Sequence, residues 1–279
     1  MKLYQDKDKI VFDSWGSYLD SIEEKPLNSR ALNTTACRPG KRDWNGNTED
    51  LGDALTLART GWTDPLLIVD RFIDRIEKTV DTEITQTAFE AVYGVSGAEV
   101  DVALYLSGEP ECMIESTPIR VSRHGRAVRL VVGASMLAEV KPEAFQLRGA
   151  AVVALADILA KAQHPLEVWW HNSAEDRRGT FTQLVKVQAA TDPLDIPRLL
   201  FAFGHPASNR RIGFRGRDLW GTDKIGFGNY GGTAKAKAED LLDHTENDIV
   251  LQPISRTTTK WTEDTWSTWI EEQLAAIFD

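Results

Sequence analysis

The sequence predicts an α/β fold in which a doubly wound, mostly parallel sheet carries helices on both faces. The prediction depends on two apolar runs and the segment between them. The first run, at 128–132, is β-branched and is followed by small residues, and the second run lies at 166–170. Runs of this kind are typical of buried parallel strands. Parallel strands need a crossover connection, and the intervening segment is long enough to supply it as a helix.

The crossover segment has the periodicity of a helix that packs closely on a sheet. Apolar and small residues recur in it at three- and four-residue spacing, which places them on one helical face: Leu147, Ala150, Ala151, Ala154, Leu155, Ile158 and Leu159. We therefore expect a helix over 144–163. Further apolar runs at 182–189 and 248–252 are predicted to join the same sheet.

The organisation along the chain predicts two parts. Residues 1–95 are expected to form a helical and loop region, and residues 96–279 the α/β domain. Within the first part, the loop at 28–47 is rich in Asn, Gly and Pro, and a loop that long usually covers a surface or contacts a partner. After it, the segments VDVALYL (100–106) and ESTPIRV (115–121) are candidate strands that extend the sheet or its edge.

Composition excludes several functional classes. The formal charge of −10 and pI near 5.1 disfavour a general binder of nucleic acid or membrane surfaces, because both present negative charge. The two cysteines, Cys37 and Cys112, lack neighbouring ligands at metal spacing, so neither a zinc site nor a disulfide framework is indicated. No apolar run reaches membrane-spanning length and the N-terminus is too polar for a secretory signal, so we expect a cytoplasmic location.

Three segments carry a resemblance to a known group of proteins. They are NGNTEDLGDALTLARTGW, the Arg148–Gly149 pair within the strand–helix–strand unit, and KVQAATDPLDIPRLLFAFGHPASNRRIGF. Together, over about residues 12–225, they resemble a family of tailed-phage and prophage proteins of unknown function. The resemblance implies a phage-encoded protein in the host cytoplasm or the virion, with a phage or host protein as its partner.

The strand–helix–strand unit also resembles a von Willebrand factor type A domain. In that family the first strand ends in Asp-x-Ser-x-Ser, which holds a divalent cation. The matching turn here is Gly133-Ala134-Ser135-Met136-Leu137, so the aspartate is absent and only Ser135 remains. A hard cation needs several oxygen ligands. The resemblance therefore implies a degenerate type A-like core without a working metal site, and no metal or cofactor is expected.

Candidate binding residues lie between positions 210 and 230. Four arginines form a basic cluster suited to phosphate or carboxylate recognition, although an ion-pair cluster at an interface fits equally: Arg210, Arg211, Arg215 and Arg217. The glycine-rich segment 213–232 contains no phosphate-binding or dinucleotide motif. Its glycines alternate with aromatic residues, which is compatible with an adaptable binding loop or with a surface meander: Phe214, Trp220, Phe227 and Tyr230.

Two histidines allow a functional and a structural interpretation. His205 and Pro206 follow the apolar run 199–203, either at a ligand site on the carboxyl edge of the sheet or simply where a helix ends. The structural interpretation is favoured there. The polar residues 171–176, which begin with His171, match no known triad or ligand set, so a solvated turn is predicted.

Two hypotheses about function follow. The first is a non-enzymatic interaction or assembly module, with no catalytic residue, that contacts its partner through Arg210 to Tyr230, His205 and the 28–47 loop. The second is a hydrolase or nucleotide-binding enzyme that uses the carboxyl edge of the sheet, with Ser135, His171 and His205 as the residues to suspect. The two differ in whether those three side chains converge in space.

Overall fold

The chain folds into two compact units. The structure is a computed structural model that describes residues 2–5, 8–40, 42–78, 85–122, 125–225, 232–241, 243–245 and 248–278. Unit 1 comprises Met1–Asp81 and Arg126–Asp279, and unit 2 comprises Thr82–Gly125. The predicted boundary at residue 95 therefore differs from the observed divisions, because helices of the first 78 residues share the core of unit 1 with the sheet.

The described residues contain ten strands: β1 (Lys2–Gln5), β2 (Lys9–Phe12), β3 (Thr85–Gly94), β4 (Glu99–Val100), β5 (Met113–Ser122), β6 (Val128–Gly133), β7 (Leu166–Asp176), β8 (Gly179–Gln188), β9 (Gly232–Thr233) and β10 (Ile249–Leu251). The helices described are α1 (Trp15–Glu23), α2 (Ser29–Leu32), α3 (Leu51–Thr60), α4 (Leu66–Ile76), α5 (Val102–Ser107), α6 (Pro142–Lys161), α7 (Ile196–Gly204), α8 (Phe214–Trp220), α9 (Thr222–Ile225) and α10 (Glu263–Phe278). A π-helix, Ser208–Gly213, lies between α7 and α8. Among these described helices, none combines the length and apolar character needed to cross a membrane.

Unit 1 contains a mixed sheet in the order β1-β2-β8-β7-β6-β10, with β9 beside the end of β7. From β2 to β10 the sheet is mostly parallel, since β2–β8, β7–β6 and β6–β10 are parallel pairs. The four strands predicted from the apolar runs all lie in this one sheet. The departure from parallel order is β8, which returns antiparallel to β7 through a tight connection that ends at Gly179, where φ is 140°.

The helices pack on one face of this sheet. Alternate strand residues such as Val168 and Trp170 join the main core with residues of α1, α3, α4, α6, α7 and α10. The opposite face carries a smaller apolar cluster of Val11, Val131, Trp169 and Leu184. Leu241, which lies in a segment without α-helix, covers this cluster. Helices on both faces, as a doubly wound fold requires, are therefore not observed in the described residues.

Helix α6 lies where the periodicity predicts it, and its small residues permit a close helix contact. Pro142 occupies its first turn, where the missing N–H costs nothing. Gly149 of α6 contacts α7 so closely that a Cβ atom on Gly149 would lie 2.3 Å from the Cα atom of Gly204. The small residues of α6 thus serve packing against α7 as well as against the sheet.

Unit 2 is a small antiparallel sheet in the order β3-β5-β4 with the short helix α5. The prediction of a strand over 100–106 was wrong beyond Val100, because Val102–Ser107 is helical. The Asp101 carboxylate accepts hydrogen bonds from the backbone N–H groups of Ala103 and Leu104, which caps a helix. The predicted strand at 115–121 lies within β5, but β5 pairs inside unit 2 and does not extend the larger sheet.

Candidate functional site

The four arginines predicted to form a contact surface lie on the π-helix Ser208–Gly213 and on α8, and they are buried. None of the four is more than 4% exposed. The expectation of an exposed arginine surface is therefore corrected, because these guanidinium groups bind the protein's own polar groups. π-Helical turns are rare in proteins, and many of those known lie at functional sites. Arg215, on α8, donates from Nη2 to the carbonyl of Lys25 at 3.3 Å.

Arg210 joins a loop of the N-terminal part of unit 1 to the turn that follows β6. Its guanidinium group donates to the carbonyl of Trp44 at 2.6 Å and to three carbonyls of the turn 137–140, of which Val140 lies nearest at 2.7 Å. The group also lies over the rings of Trp44 and Phe145 at 4.4 and 4.9 Å. Burial lowers the pKa of Arg210 to about 10, which leaves it charged at neutral pH.

Arg211 holds together the loop that the sequence marked as a candidate partner contact. Its side chain is fully buried and donates to six oxygen atoms of residues 36–49: the carbonyls of Ala36, Arg38, Gly40, Thr48 and Glu49 and the hydroxyl of Thr48. Hydrogen bonds to a charged donor are stronger than neutral ones. The 36–49 part of the loop is thus fixed to the π-helix by one side chain.

Arg217 lies in a cluster of oxygen atoms at the end of β6. Its Nη2 atom donates to Oδ1 of Asn172, to Oδ1 of Asn209 at 3.4 Å and to Oγ of Ser135 at 3.5 Å. The amide of Asn172 donates to Oδ1 of Asn209 at 2.9 Å, which fixes the two asparagines relative to each other. Ser135 is the one serine left in the turn that resembles a metal-binding turn. The cation among these oxygen atoms is a guanidinium group of the chain itself.

A second buried polar network links α1, β8 and the π-helix. The hydroxyl of Tyr18 donates to Oε1 of Gln183 at 2.7 Å, and Nε2 of Gln183 donates to the carbonyl of Gly213 at 3.0 Å. Burial raises the pKa of Tyr18, so its hydroxyl remains a neutral donor. A Cβ atom on Gly216 would lie 1.9 Å from Oε1 of Gln183, so glycine is needed there.

Arg148 is buried at the carboxyl ends of β6 and β10. Its Nη2 atom donates to the carbonyl of Gly133 at 2.7 Å and to that of Gln252 at 3.0 Å. Its Nε and Nη1 atoms are buried without a hydrogen-bond acceptor among the described residues. Because burial disfavours the charged form, it lowers the pKa of Arg148 to about 9. Arg148 therefore ties two parallel strand ends together.

His205 is enclosed at the end of α7. Its ring stacks on Phe201 at 5.2 Å and meets the edge of Trp62 at 4.8 Å, and its Nδ1 atom accepts from the N–H of Ala207 at 3.2 Å. Burial lowers the pKa of His205 to about 4, so the ring is neutral at physiological pH. A Cβ atom on Gly46 would lie 2.4 Å from the ring, which shows how closely the loop covers it. These contacts agree with the structural interpretation of His205.

His171 lies on the opposite face of the sheet from Asn172. Its Nε2 atom is 2.7 Å from Oδ2 of Asp240. Burial acts to raise the pKa of Asp240, but the interactions with His171 and the nearby charges of Lys9 and Lys237 together outweigh burial, and the net shift is downward. The solvated turn predicted at 171–176 is also corrected, because residues 171–174 are buried within β7. No hydrogen bond in the described part of the chain joins any two of Ser135, His171 and His205.

The aromatic residues of the glycine-rich segment are only partly described. Trp220 is half-buried and packs against Phe12 and Tyr18, with ring centroids 5.5 and 5.9 Å apart. Phe227 and Tyr230 lie outside the described residues. Trp220 therefore contributes to the core of unit 1.

A cleft of about 670 Å³ opens where an enzyme of this architecture would bind its substrate. It lies between the turn after β6, the start of α6 and the segment after β10, and its lining includes Leu137, Lys141, Leu147, Lys260 and Trp261. None of the three suspected catalytic residues lines it. Across the residues that the structure describes, no group of three His, Cys, Asp or Glu side chains is arranged to hold a metal ion.

The chain is thus a mixed α/β protein in which the Arg217 guanidinium group lies among the oxygen atoms of Ser135, Asn172 and Asn209, next to the end of β6. The chain belongs to the family described as a domain of unknown function (DUF7192), which matches residues 5–277. No curated protein sequence and no solved structure matches the chain.

Sequence reasoning missed the partners of the arginines. It did not single out Asn209 or Gln183, and it assigned Asn172 to a solvated turn. One available indication was the order Ser-Asn-Arg-Arg at 208–211, which puts four hydrogen-bonding residues next to the apolar helix 199–203. Their acceptors lie far away in sequence, so local patterns do not identify them.

Proposed function

We propose that this chain is a non-enzymatic, phage-encoded interaction or assembly module built on a degenerate type A-like core. The observation that carries the proposal is the position of the Arg217 guanidinium group among the oxygen atoms of Ser135, Asn172 and Asn209. The chain supplies in this turn the positive charge that a divalent cation brings to the turn of type A domains. The turn then stabilises the fold, and it binds no metal ion through which a ligand could be held.

The strand order around this turn supports the type A likeness. Strand β6 ends next to Ser135, α6 crosses over, and β7 returns parallel to β6. The phage origin, the location in the host cytoplasm or virion, and a phage or host protein as partner come from the resemblance of the three sequence segments. Buried polar networks around Arg210, Arg211 and Arg217 make this core a rigid scaffold for contacts elsewhere.

The metal part of the proposal is tested by calorimetry. Titration of millimolar Mg²⁺ or Mn²⁺ into the chain should give no site-specific heat, because the Arg217 guanidinium group already lies among the oxygen atoms of Ser135, Asn172 and Asn209, and none of these three residues supplies a carboxylate. A single-site isotherm for either ion that is lost in Ser135→Ala contradicts the proposal.

The interaction part is tested by affinity capture of the tagged chain from infected cells, with mass spectrometry of both the lysate and purified virions. A reproducible phage or host protein partner, or stoichiometric presence in virions, supports the module. Absence of any partner from lysate and virions alike contradicts it. Hydrolysis of a nucleotide or ester substrate by the pure chain, lost in Ser135→Ala, would favour the enzyme hypothesis.

A further inference from the structure

Most of the apolar side chains that the structure describes in unit 2 are not buried. Among its described side chains, Cys112 is the only buried hydrophobic one. Seven of the ten exposed large hydrophobic residues identified in the described chain belong to it: Val92, Tyr93, Val95, Val100, Val102, Tyr105 and Leu106. Exposed apolar surfaces of this kind mark interaction sites, since soluble proteins otherwise keep such patches small.

Helix α5 presents an apolar stripe to solvent. Val102, Tyr105 and Leu106 occupy positions i, i+3 and i+4, so they share one helical face. They are 60%, 64% and 78% exposed. The apolar face of α5, the kind of helical face that normally packs against a protein core, is therefore exposed to solvent. It provides three adjacent side chains for burial against a partner.

The sheet of unit 2 adds apolar side chains with carboxylates beside them. Val100 pairs with Met113 and Val92 with Glu115, and the alternation of strand residues places all four side chains on the same sheet face. Glu115 is exposed within this face. Further exposed carboxylates lie in the segment after α5, at Glu109 and Glu111.

Charge decides which partner fits this surface. Residues 82–125 contain seven Asp and Glu and two Arg, so this segment carries a formal −5 of the chain's −10. Two copies of the surface would repel each other, and nucleic acid and anionic lipid would be repelled for the same reason. A protein segment with an apolar stripe between lysines or arginines complements both the apolar and the acidic parts.

We propose that the α5 stripe, together with the exposed Val92 and Val100 of the same unit, docks a cationic amphipathic segment of a partner protein. The proposal rests on the proposed function, since it names the partner's chemistry for the interaction module. The apolar side chains supply the affinity by burial, and the surrounding carboxylates select for positive charge and orient the segment.

Two synthetic peptides of identical leucine pattern test the proposal, one with lysine and one with glutamate at every polar position. Fluorescence anisotropy with the full chain should show binding of the lysine peptide and not of the glutamate peptide. The double variant Val102→Ser/Leu106→Ser should weaken binding roughly tenfold or more. Leu67→Ser, on α4 of unit 1 and equally exposed at 73%, is the matched control and should change nothing.

A second variant separates charge from apolar contact. Glu109→Gln/Glu111→Gln should weaken the lysine peptide about fivefold at low salt, with little difference at high salt, because screening removes the same attraction. Unchanged circular dichroism in each variant confirms that the fold is retained.

Several results overturn the proposal. They are absence of lysine-peptide binding, equal binding of both peptides, or unchanged affinity in Val102→Ser/Leu106→Ser. A dimer in sedimentation velocity that this variant abolishes assigns the surface to a second copy, and binding to phosphatidylglycerol vesicles that the variant abolishes assigns it to lipid. If the variant still captures its partner from infected cells, this inference fails and the interaction module stands. Absence of any partner for the unmodified chain defeats the module itself.

Discussion

Unit 1 and unit 2 place polar and apolar residues in opposite environments. In unit 1 the guanidinium groups of Arg148, Arg210 and Arg211 are almost completely buried. In unit 2 the aliphatic side chains of Val102 and Leu106 are largely exposed. Residue type alone therefore does not predict burial in this protein: the arginines that resemble interface anchors are buried in unit 1, and apolar residues that resemble core residues are exposed in unit 2.

The difference follows from how many hydrogen-bond acceptors and apolar neighbours each unit supplies to its own side chains. A guanidinium group has five N–H donors, and it can be buried when enough carbonyl oxygens surround it. Unit 1 supplies those carbonyls from loops distant in sequence, as for Arg211. Unit 2 is small, and the buried fraction of a domain falls as its size decreases, so many of its described apolar side chains remain exposed.

The largest expected effect is the loss of the Arg211 side chain. Arg211→Ala should reduce the free energy of unfolding by about 3–5 kcal/mol, because the six oxygen atoms of residues 36–49 lose their donor in a buried site. Urea unfolding followed by tryptophan fluorescence measures it. Arg71→Ala removes a solvent-exposed ion pair with Glu263 and should cost far less. Equal losses in the two variants would mean that the Arg211 contacts do not stabilise unit 1.

The pH dependence of stability comes next in size. Because the pKa of His205 is about 4 in the folded chain and near 6.5 when unfolded, the unfolded state binds the proton first. Stability should therefore fall as pH decreases from about 6.5 to about 4, by about 3 kcal/mol in total. Urea midpoints at pH 7.5, 6 and 5 measure the effect. His205→Gln, which does not titrate, should flatten this part of the profile, and an unchanged slope would refute the assignment.

The close contact between α6 and α7 predicts an intermediate effect. Gly149→Ala places a Cβ atom 2.3 Å from the Cα of Gly204, so the two helices must separate, at a cost of about 1–3 kcal/mol. Gly16→Ala in α1 is the control, since its Cβ atom would have no neighbour within 4 Å. It should be neutral or stabilise by up to about 1 kcal/mol. Thermal denaturation of both variants gives the comparison, which fails if the two shift alike.

The smallest expected effect sharpens the contrast between the units. Leu106→Ser should change the unfolding free energy by less than about 0.5 kcal/mol, because the side chain is 78% exposed. A loss of more than about 1 kcal/mol in chemical denaturation would show that Leu106 stabilises unit 2 through burial. The docking surface would then need to be reassigned.

The elements with strong local patterns could be predicted from the sequence. Strands β6 and β7 and helix α6 follow from apolar runs and from helical periodicity. Helix α5 was mistaken for a strand because its valine and tyrosine residues favour strands, whereas capping by Asp101 and the left-handed Gly108 at φ 84° favour a short helix. The Arg217 cluster could not be predicted, since Ser135, Asn172 and Asn209 meet only after the sheet has formed.

The parallel pairing of β2 with β8 determines when the chain can fold during synthesis. Strand β2 ends at Phe12 and β8 begins at Gly179. At roughly 5–20 residues per second, the ribosome needs about 8–33 s to make the intervening chain. The three strands of unit 2 lie close together in sequence and can pair within that interval. The apolar stripe of α5 is therefore translated before unit 1 is complete, and a partner present during translation can meet it first.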